Sequence, residues 1–151
     1  MSARSVTHST FVLERVYPSA PARVFNAFAD PKDKAKWFAG PPEWGPDKQA
    51  MDFRVGGRET SVGGPKGGPI HAFNALYQDI VPNERIIYTY EMHLDGKRIS
   101  VSVATIELKP EGAGTRLKLT DQGVYLDGFD KPELREQGTK DLLEALGKAL
   151  A

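Results

Sequence analysis

The stretch that decides the fold is the last one in the chain, Asp130-Lys131-Pro132-Glu133-Leu134-Arg135-Glu136-Gln137-Gly138-Thr139-Lys140-Asp141-Leu142-Leu143-Glu144-Ala145-Leu146-Gly147-Lys148-Ala149-Leu150. Set at about 100° per residue, Leu134, Gly138, Leu142, Leu143, Ala145, Leu146, Ala149 and Leu150 share one half of a helical wheel. The other half is mostly charged. Asp130 is placed to cap the helix, and Pro132 sits in the first turn, where a missing N–H costs nothing. Glu133 stands like the acid of a capping box. A helix of this length with one apolar face has to lie on an apolar surface built elsewhere in the chain.

Upstream, the chain supplies that surface as strands. Between Pro41 and Leu119, short alternating runs are separated by turn residues. Ile86, Tyr88, Tyr90 and Met92 alternate with Ile87, Thr89, Glu91 and His93, and Asp95-Gly96 then predicts a two-residue hairpin turn of the primed type. Ile99 to Leu108 is its partner. The apolar phase slips near Val103-Ala104, which predicts a bulge there or apolar contacts on both faces. Met51, Phe53 and Val55 alternate before Gly56-Gly57, and the run from Ile70 to Val81 ends at Pro82-Asn83. Gly112 to Gly114 lead into a last strand with Leu117 and Leu119 inward.

Thr7 to Tyr17 forms the first strand, with Phe11, Leu13 and Tyr17 on one side and Val12 and Val16 on the other. Pro18 ends it. Ser19 then caps a short helix carrying Val24, Phe25, Phe28 and Ala29, and Asp30-Pro31 opens a second that carries Trp37-Phe38 at its end. A strand, two short helices, six strands and a long helix, in that segregated order, make an α+β fold. The chain reads as one domain over residues 1–151.

Composition narrows the function. With 20 basic and 20 acidic residues interspersed, the net charge is zero, which argues against a nucleic-acid partner. The absence of cysteine excludes disulfides, thiolate metal sites and thiol nucleophiles. The stretch from Met1 to Thr10 is polar and lacks the apolar segment of a secretion signal, and no run is long enough for a membrane span. The expected location is the cytoplasm.

Several segments then point to a family. Val16-Tyr17-Pro18-Ser19-Ala20-Pro21 with Val24-Phe25, Asp30-Pro31 and Trp37-Phe38 resemble the start of START-like (SRPBCC) proteins, and in particular the relatives of the heat-shock protein 90 ATPase activator. Asp52-Phe53-Arg54-Val55-Gly56-Gly57, Ile80-Val81-Pro82-Asn83-Glu84-Arg85-Ile86 with Tyr88-Thr89, and Gly114-Thr115-Arg116-Leu117 extend the resemblance over nearly the whole chain. It implies a helix-grip fold, a curved seven-stranded antiparallel sheet around the terminal helix, with an internal cavity. Members bind lipids, hormones or polyketides, and a minority catalyse cyclisation or dehydration. The chain departs from the family at Gly138-Thr139, where Gly-Trp is common, and nothing in it corresponds to a separate chaperone-binding domain. The first departure predicts a roomier cavity, and the second argues against chaperone activation.

Ligand sites are mostly apolar with a few placed polar groups. The candidate lining is aromatic: Trp37, Phe38, Trp44, Phe53, Phe73, Tyr88 and Tyr90, with Met92. On the terminal helix, Arg135 and Thr139 fall inside the apolar arc, flanked by Leu142 and Leu146. Buried without a partner, the hydroxyl alone would cost about 1–3 kcal/mol. Either both look into the cavity, where Arg135 would hold a carboxylate or phosphate, or Arg135 extends to solvent and Thr139 bonds back to its own helix. His71 shares the parity of Phe73 and is expected at the cavity mouth, and His93 is expected in solvent. A catalytic base at His71 with Glu59 or Asp121 rests on spacing alone, so no catalytic residue is assigned. The histidines show no metal-binding spacing, and no metal or cofactor is expected. The segment Gly63-Gly64-Pro65-Lys66-Gly67-Gly68-Pro69 lacks the order of a phosphate loop and reads as a mobile hairpin tip beside the cavity entrance.

The function expected from these features is non-enzymatic binding of a small apolar or amphipathic molecule, lipid, aromatic or polyketide-like. The alternatives are a cyclase, dehydratase or hydrolase using His71, Tyr88 or Arg135, and a chaperone-associated protein-binding module. Homodimerisation through sheet edges or the outer sheet face is left open by the sequence.

Overall fold

The computed structural model describes residues 4–151, so that residues 1–3 of the polar N-terminal stretch lie outside the described residues. Alternation in Val6–Tyr17 makes strand β1, with Phe11, Leu13 and Tyr17 buried and Val12 and Val16 about half exposed on the opposite face. Helices α1 (Pro21–Ala29) and α2 (Pro31–Lys34) follow, and then a single 3-10 turn at Pro42–Trp44. Six strands come next: β2 (Lys48–Met51), β3 (Arg58–Gly63), β4 (His71–Val81), β5 (Arg85–Leu94), β6 (Lys97–Glu111) and β7 (Gly114–Leu126). Helix α3 (Pro132–Leu150) closes the chain. All strands lie in one antiparallel sheet of order β1-β7-β6-β5-β4-β3-β2. This is the α+β helix-grip arrangement.

The Asp95-Gly96 hairpin forms as its residues dictate, with φ of 51° and 78°, the left-handed values a primed turn requires. Asp95 also ties the turn down, its carboxylate accepting from the Ile70 amide at 2.8 Å. The phase slip in β6 is real but lies elsewhere. Met92 pairs with Ser100 and His93 with Arg98, so the extra residue is Ile99, not one at Val103-Ala104. Ile99 and Ser100 are both buried, and from there Ser102, Ala104, Ile106 and Leu108 face inward. A second irregularity at Gln78 bends β4 between Tyr77 and Asp79.

Other differences have local causes. Of the predicted run Met51, Phe53 and Val55 only Met51 pairs, as the last residue of β2. Phe53 turns inward against Phe25 and Tyr77, and Val55 is exposed before Gly56. The last strand continues seven residues past Leu119, carrying Asp121, Gly123 and Tyr125 inward. Ala20, not Ser19, takes the cap position of α1, because Ala20 is still extended and its carbonyl receives the first helical bonds. In α3 the cap position is Lys131, and Asp130, one residue early, accepts from the Lys131 amide and pairs with Arg135. Glu133 is therefore at the second helical position and closes no capping box. Asp30 does cap α2, accepting from the Lys32 amide at 3.0 Å.

The second half of α3 grips the sheet. Leu143, Leu146 and Leu150 join Val24 and Phe28 of α1 and Leu117 and Leu119 of β7 in one buried cluster. The Tyr17 hydroxyl donates to the Leu143 carbonyl at 2.7 Å, and burial pushes that phenol up to about 12. The first half of α3 behaves differently. Leu134, apolar on the wheel, is 64% exposed, and a Cβ placed on Gly138 would meet no atom within 4 Å.

Candidate functional site

Beneath that first half of α3 is a pocket of about 730 Å³, bounded by the inner faces of β4 to β7, the segment after α2 and the loop before α3. Its aromatic wall comes from alternate residues of two paired strands. Phe73 on β4 makes an edge contact with Phe38 at 5.0 Å and lies 5.3 Å from Tyr90 on β5, with Tyr88 beside both. Met92 continues the same face of β5, and Leu142 comes down from α3. Trp37 reaches the pocket from a buried position, its ring nitrogen donating to the Ala27 carbonyl at 3.0 Å. Trp44 stacks on His71, ring centroids 4.8 Å apart, where the loop before β2 meets the start of β4.

Two residues expected in the lining are elsewhere. Phe53 packs in the aromatic contact with Phe25 and Tyr77, because the chain leaves β2 before reaching it. Leu146 is fully buried in the α3 grip, a turn beyond the point where the helix meets the sheet. The proposed base His71 stacks on Trp44, while Glu59 and Asp121, its suggested partners, are bonded to other groups. His93 is half-buried, 3.5 Å from Glu91, rather than free in solvent. The glycine-rich segment connects β3 to β4, and its first residue, Gly63, touches the pocket.

The two polar residues of α3 part company. Thr139 touches the pocket, but its hydroxyl bonds back to the Arg135 carbonyl at 2.8 Å. Arg135 turns inward, with its side chain 11% exposed. Its guanidinium donates to Ser100 Oγ at 2.8 Å, to Asp130 Oδ2 at 2.8 Å and to the Tyr90 hydroxyl at 3.2 Å. It also lies over the rings of Tyr90 and Tyr125, 5.6 and 5.3 Å from their centroids. Tyr90 in turn donates to Asp121 Oδ2 at 2.5 Å. Burial raises the Asp121 pKa above its ordinary value, against the pull of the Tyr90 hydrogen bond and the Arg135 charge. Burial likewise pushes the Tyr125 phenol up to about 12.

A second buried charge was not singled out from the sequence. Lys34, the last residue of α2, donates from Nζ to Glu59 at 2.7 Å, and both side chains are 6% exposed. The Tyr77 hydroxyl bonds the same Glu59 oxygen. Burial pushes the Lys34 amine down and Glu59 partly restores it. Lys34 lies 4.5 Å from the Phe38 ring centroid and borders the pocket. The signal in the sequence is slight: a lysine between Asp33 and Ala35 reads as an ordinary solvated position.

Among the described residues there is no cluster of three or more His, Asp or Glu able to hold a metal, and no helix is long and apolar enough to cross a membrane.

With this geometry in view, comparison with known proteins places the chain. The family described as activator of Hsp90 ATPase homolog 1-like protein matches residues 18–151. The chain belongs to that family. Among solved structures, this activator-homologue-like chain is similar to an uncharacterized protein of Rhizobium leguminosarum, at 43% identity and a TM-score of 0.94, over 99% of this chain and 98% of that one. The Mll3558 protein of Rhizobium loti is 46% identical with a TM-score of 0.89, covering 96% and 99%. The CV1439 protein of Chromobacterium violaceum is 32% identical with a TM-score of 0.81, covering 93% and 96%. No curated protein of described function matches.

Proposed function

We propose that this member of the family binds a small apolar or amphipathic molecule, without transforming it, in the pocket under α3. The observation that carries the reading is the pocket itself: about 730 Å³, walled by Phe38, Phe73, Tyr88 and Met92, with the Arg135–Tyr90–Asp121 network at one side. Specific sites pair an apolar wall with a few fixed polar groups in this way. Sealing it with side chains would have been simple for a helix bearing Gly138 where a larger residue has room. A thermal-shift screen of lipids, aromatic acids and polyketides tests the proposal. A bound ligand at a hundred times its Kd adds about 2.7 kcal/mol to stability. Indifference to the whole screen removes the reading.

A second reading has one observation in its favour. Tyr90, Asp121 and Arg135 converge on one side of the pocket, as general acid–base chemistry of a cyclase or dehydratase requires. Turnover of a pocket ligand that is lost in Tyr90→Phe while binding persists would favour it over simple carriage.

A further inference from the structure

The network at Arg135 has a charge balance that bears on what the pocket accepts. The guanidinium is the one cation in it, and two carboxylates, Asp130 and Asp121, share that cation directly or through Tyr90. Arg135 already uses three of its five N–H donors on Tyr90, Ser100 and Asp130. Asp121 is in the opposite position. It borders the pocket, is 2% exposed, and only its Oδ2 has a partner; Oδ1 is a buried acceptor with none. On the same face of the sheet the hydroxyls of Ser102 and Tyr125, also buried, lack partners. These two lie together beside Gly123, two residues along β7 from Asp121. Buried polar atoms in native proteins are almost always satisfied, so an unpartnered oxygen on Asp121, a residue that lines the pocket, points to a group that arrives from outside, with the two hydroxyls next to it on the same face.

We propose that this floor receives a neutral hydroxyl as the ligand's head group, and that it turns away carboxylates and phosphates. The inference rests on the binding reading given above. A hydroxyl donates to Asp121 Oδ1 and keeps its oxygen free to accept from the neighbouring hydroxyls. An anion would meet a carboxylate pair that outnumbers the single guanidinium. An ammonium has donors only, so it could bond Asp121 but would leave the Ser102 and Tyr125 hydroxyls with nothing to donate to. Arg135 is thus a positioning residue for Tyr90 and Ser100, not the clamp for an anionic ligand that its place on the helix suggests.

Four probes on one skeleton test this: 2-naphthalenemethanol, its methyl ether, 2-naphthylmethylammonium and 2-naphthoate, each titrated into the full chain by calorimetry. The alcohol is expected to bind about tenfold more tightly than the ether, which cannot donate, with the two ions weaker still. In Asp121→Asn, Tyr90 keeps an oxygen acceptor and the free atom becomes an N–H donor, so the alcohol should lose its advantage over the ether. Circular dichroism confirms that the variant is folded, and Tyr90→Phe supplies a second route to the same network. Equal binding of alcohol and ether, as when a trapped water satisfies these atoms, overturns the head-group inference and leaves the pocket reading standing. So does tightest binding by either ion. No binding by any probe removes the pocket reading and this inference together.

Discussion

The two halves of α3 lie over the same sheet and meet opposite surroundings. Near the C-terminus, a Cβ on Gly147 would stand 3.2 Å from the Tyr17 ring, and Leu143, Leu146 and Leu150 are buried. Nine residues earlier, a Cβ on Gly138 would touch nothing, Leu134 is exposed, and Arg135 spans the gap to the sheet. The buried acids repeat the contrast. Glu59 has both a lysine and a phenol, while Asp121 has a phenol and an idle oxygen. One end of the interior is close-packed and stabilises the fold, and the other leaves contacts unmade around the pocket.

The sharpest way to break the contrast is at the satisfied acid. Lys34→Ala strands Glu59 without its cation and should cost about 3–5 kcal/mol in urea unfolding. Replacing both partners together, as Lys34→Met with Glu59→Leu, should recover most of that loss. Next comes the grip itself. Leu146→Ala empties a fully buried site and should cost about 2–5 kcal/mol, whereas Leu134→Ala at the exposed end should stay within about 0.5 kcal/mol. Equal losses at the two leucines would mean that the halves of α3 are packed alike.

A pH series separates the acids. Because burial raises the Asp121 pKa, the native state holds that proton more tightly than the unfolded chain, whose aspartate titrates near 3.8. The stability this group contributes is therefore fully present below pH 3.8 and is lost as pH rises through the folded value. The stability difference between Asp121→Asn and the parent should move in the variant's favour over that rise and then level off. A difference that does not change with pH would show an unperturbed carboxyl. Small effects belong to the glycines as well. Gly138→Ala should stabilise the helix by about 0.5–1 kcal/mol, and Gly147→Ala should gain less, since the Tyr17 ring has to give way.

The same division explains what could be read from the amino acids. Where packing is regular, alternation and wheel position carried through: Phe11 and Leu13 inward, Asp95-Gly96 at the hairpin, Leu143 and Leu146 under the helix. At the pocket, the rules of local pattern stop applying. Leu134 is apolar yet exposed, because the first turn of α3 overhangs a space instead of a surface. Arg135 turns inward because Ser100, Asp130 and Tyr90, from three separate segments, meet it there. Lys34 is buried by Glu59, 25 residues away, a pairing that no local feature announces.

The extra residue at Ile99 has a consequence for how such a floor changes chemical character. Were Ile99 held in a regular ladder, Ile99, Val101 and Val103 would point to the interior and Ser100 and Ser102 to water. The bulge absorbs the extra residue locally, so Ser100 still sits opposite Met92 and the serines stay inside with the valines out. Deleting Ile99 would therefore straighten the strand and leave the lining polar, whereas ironing out the bulge with the residue kept would turn that lining greasy. The chemical character of the floor hangs on one irregular pairing, not on which side chains the strand carries.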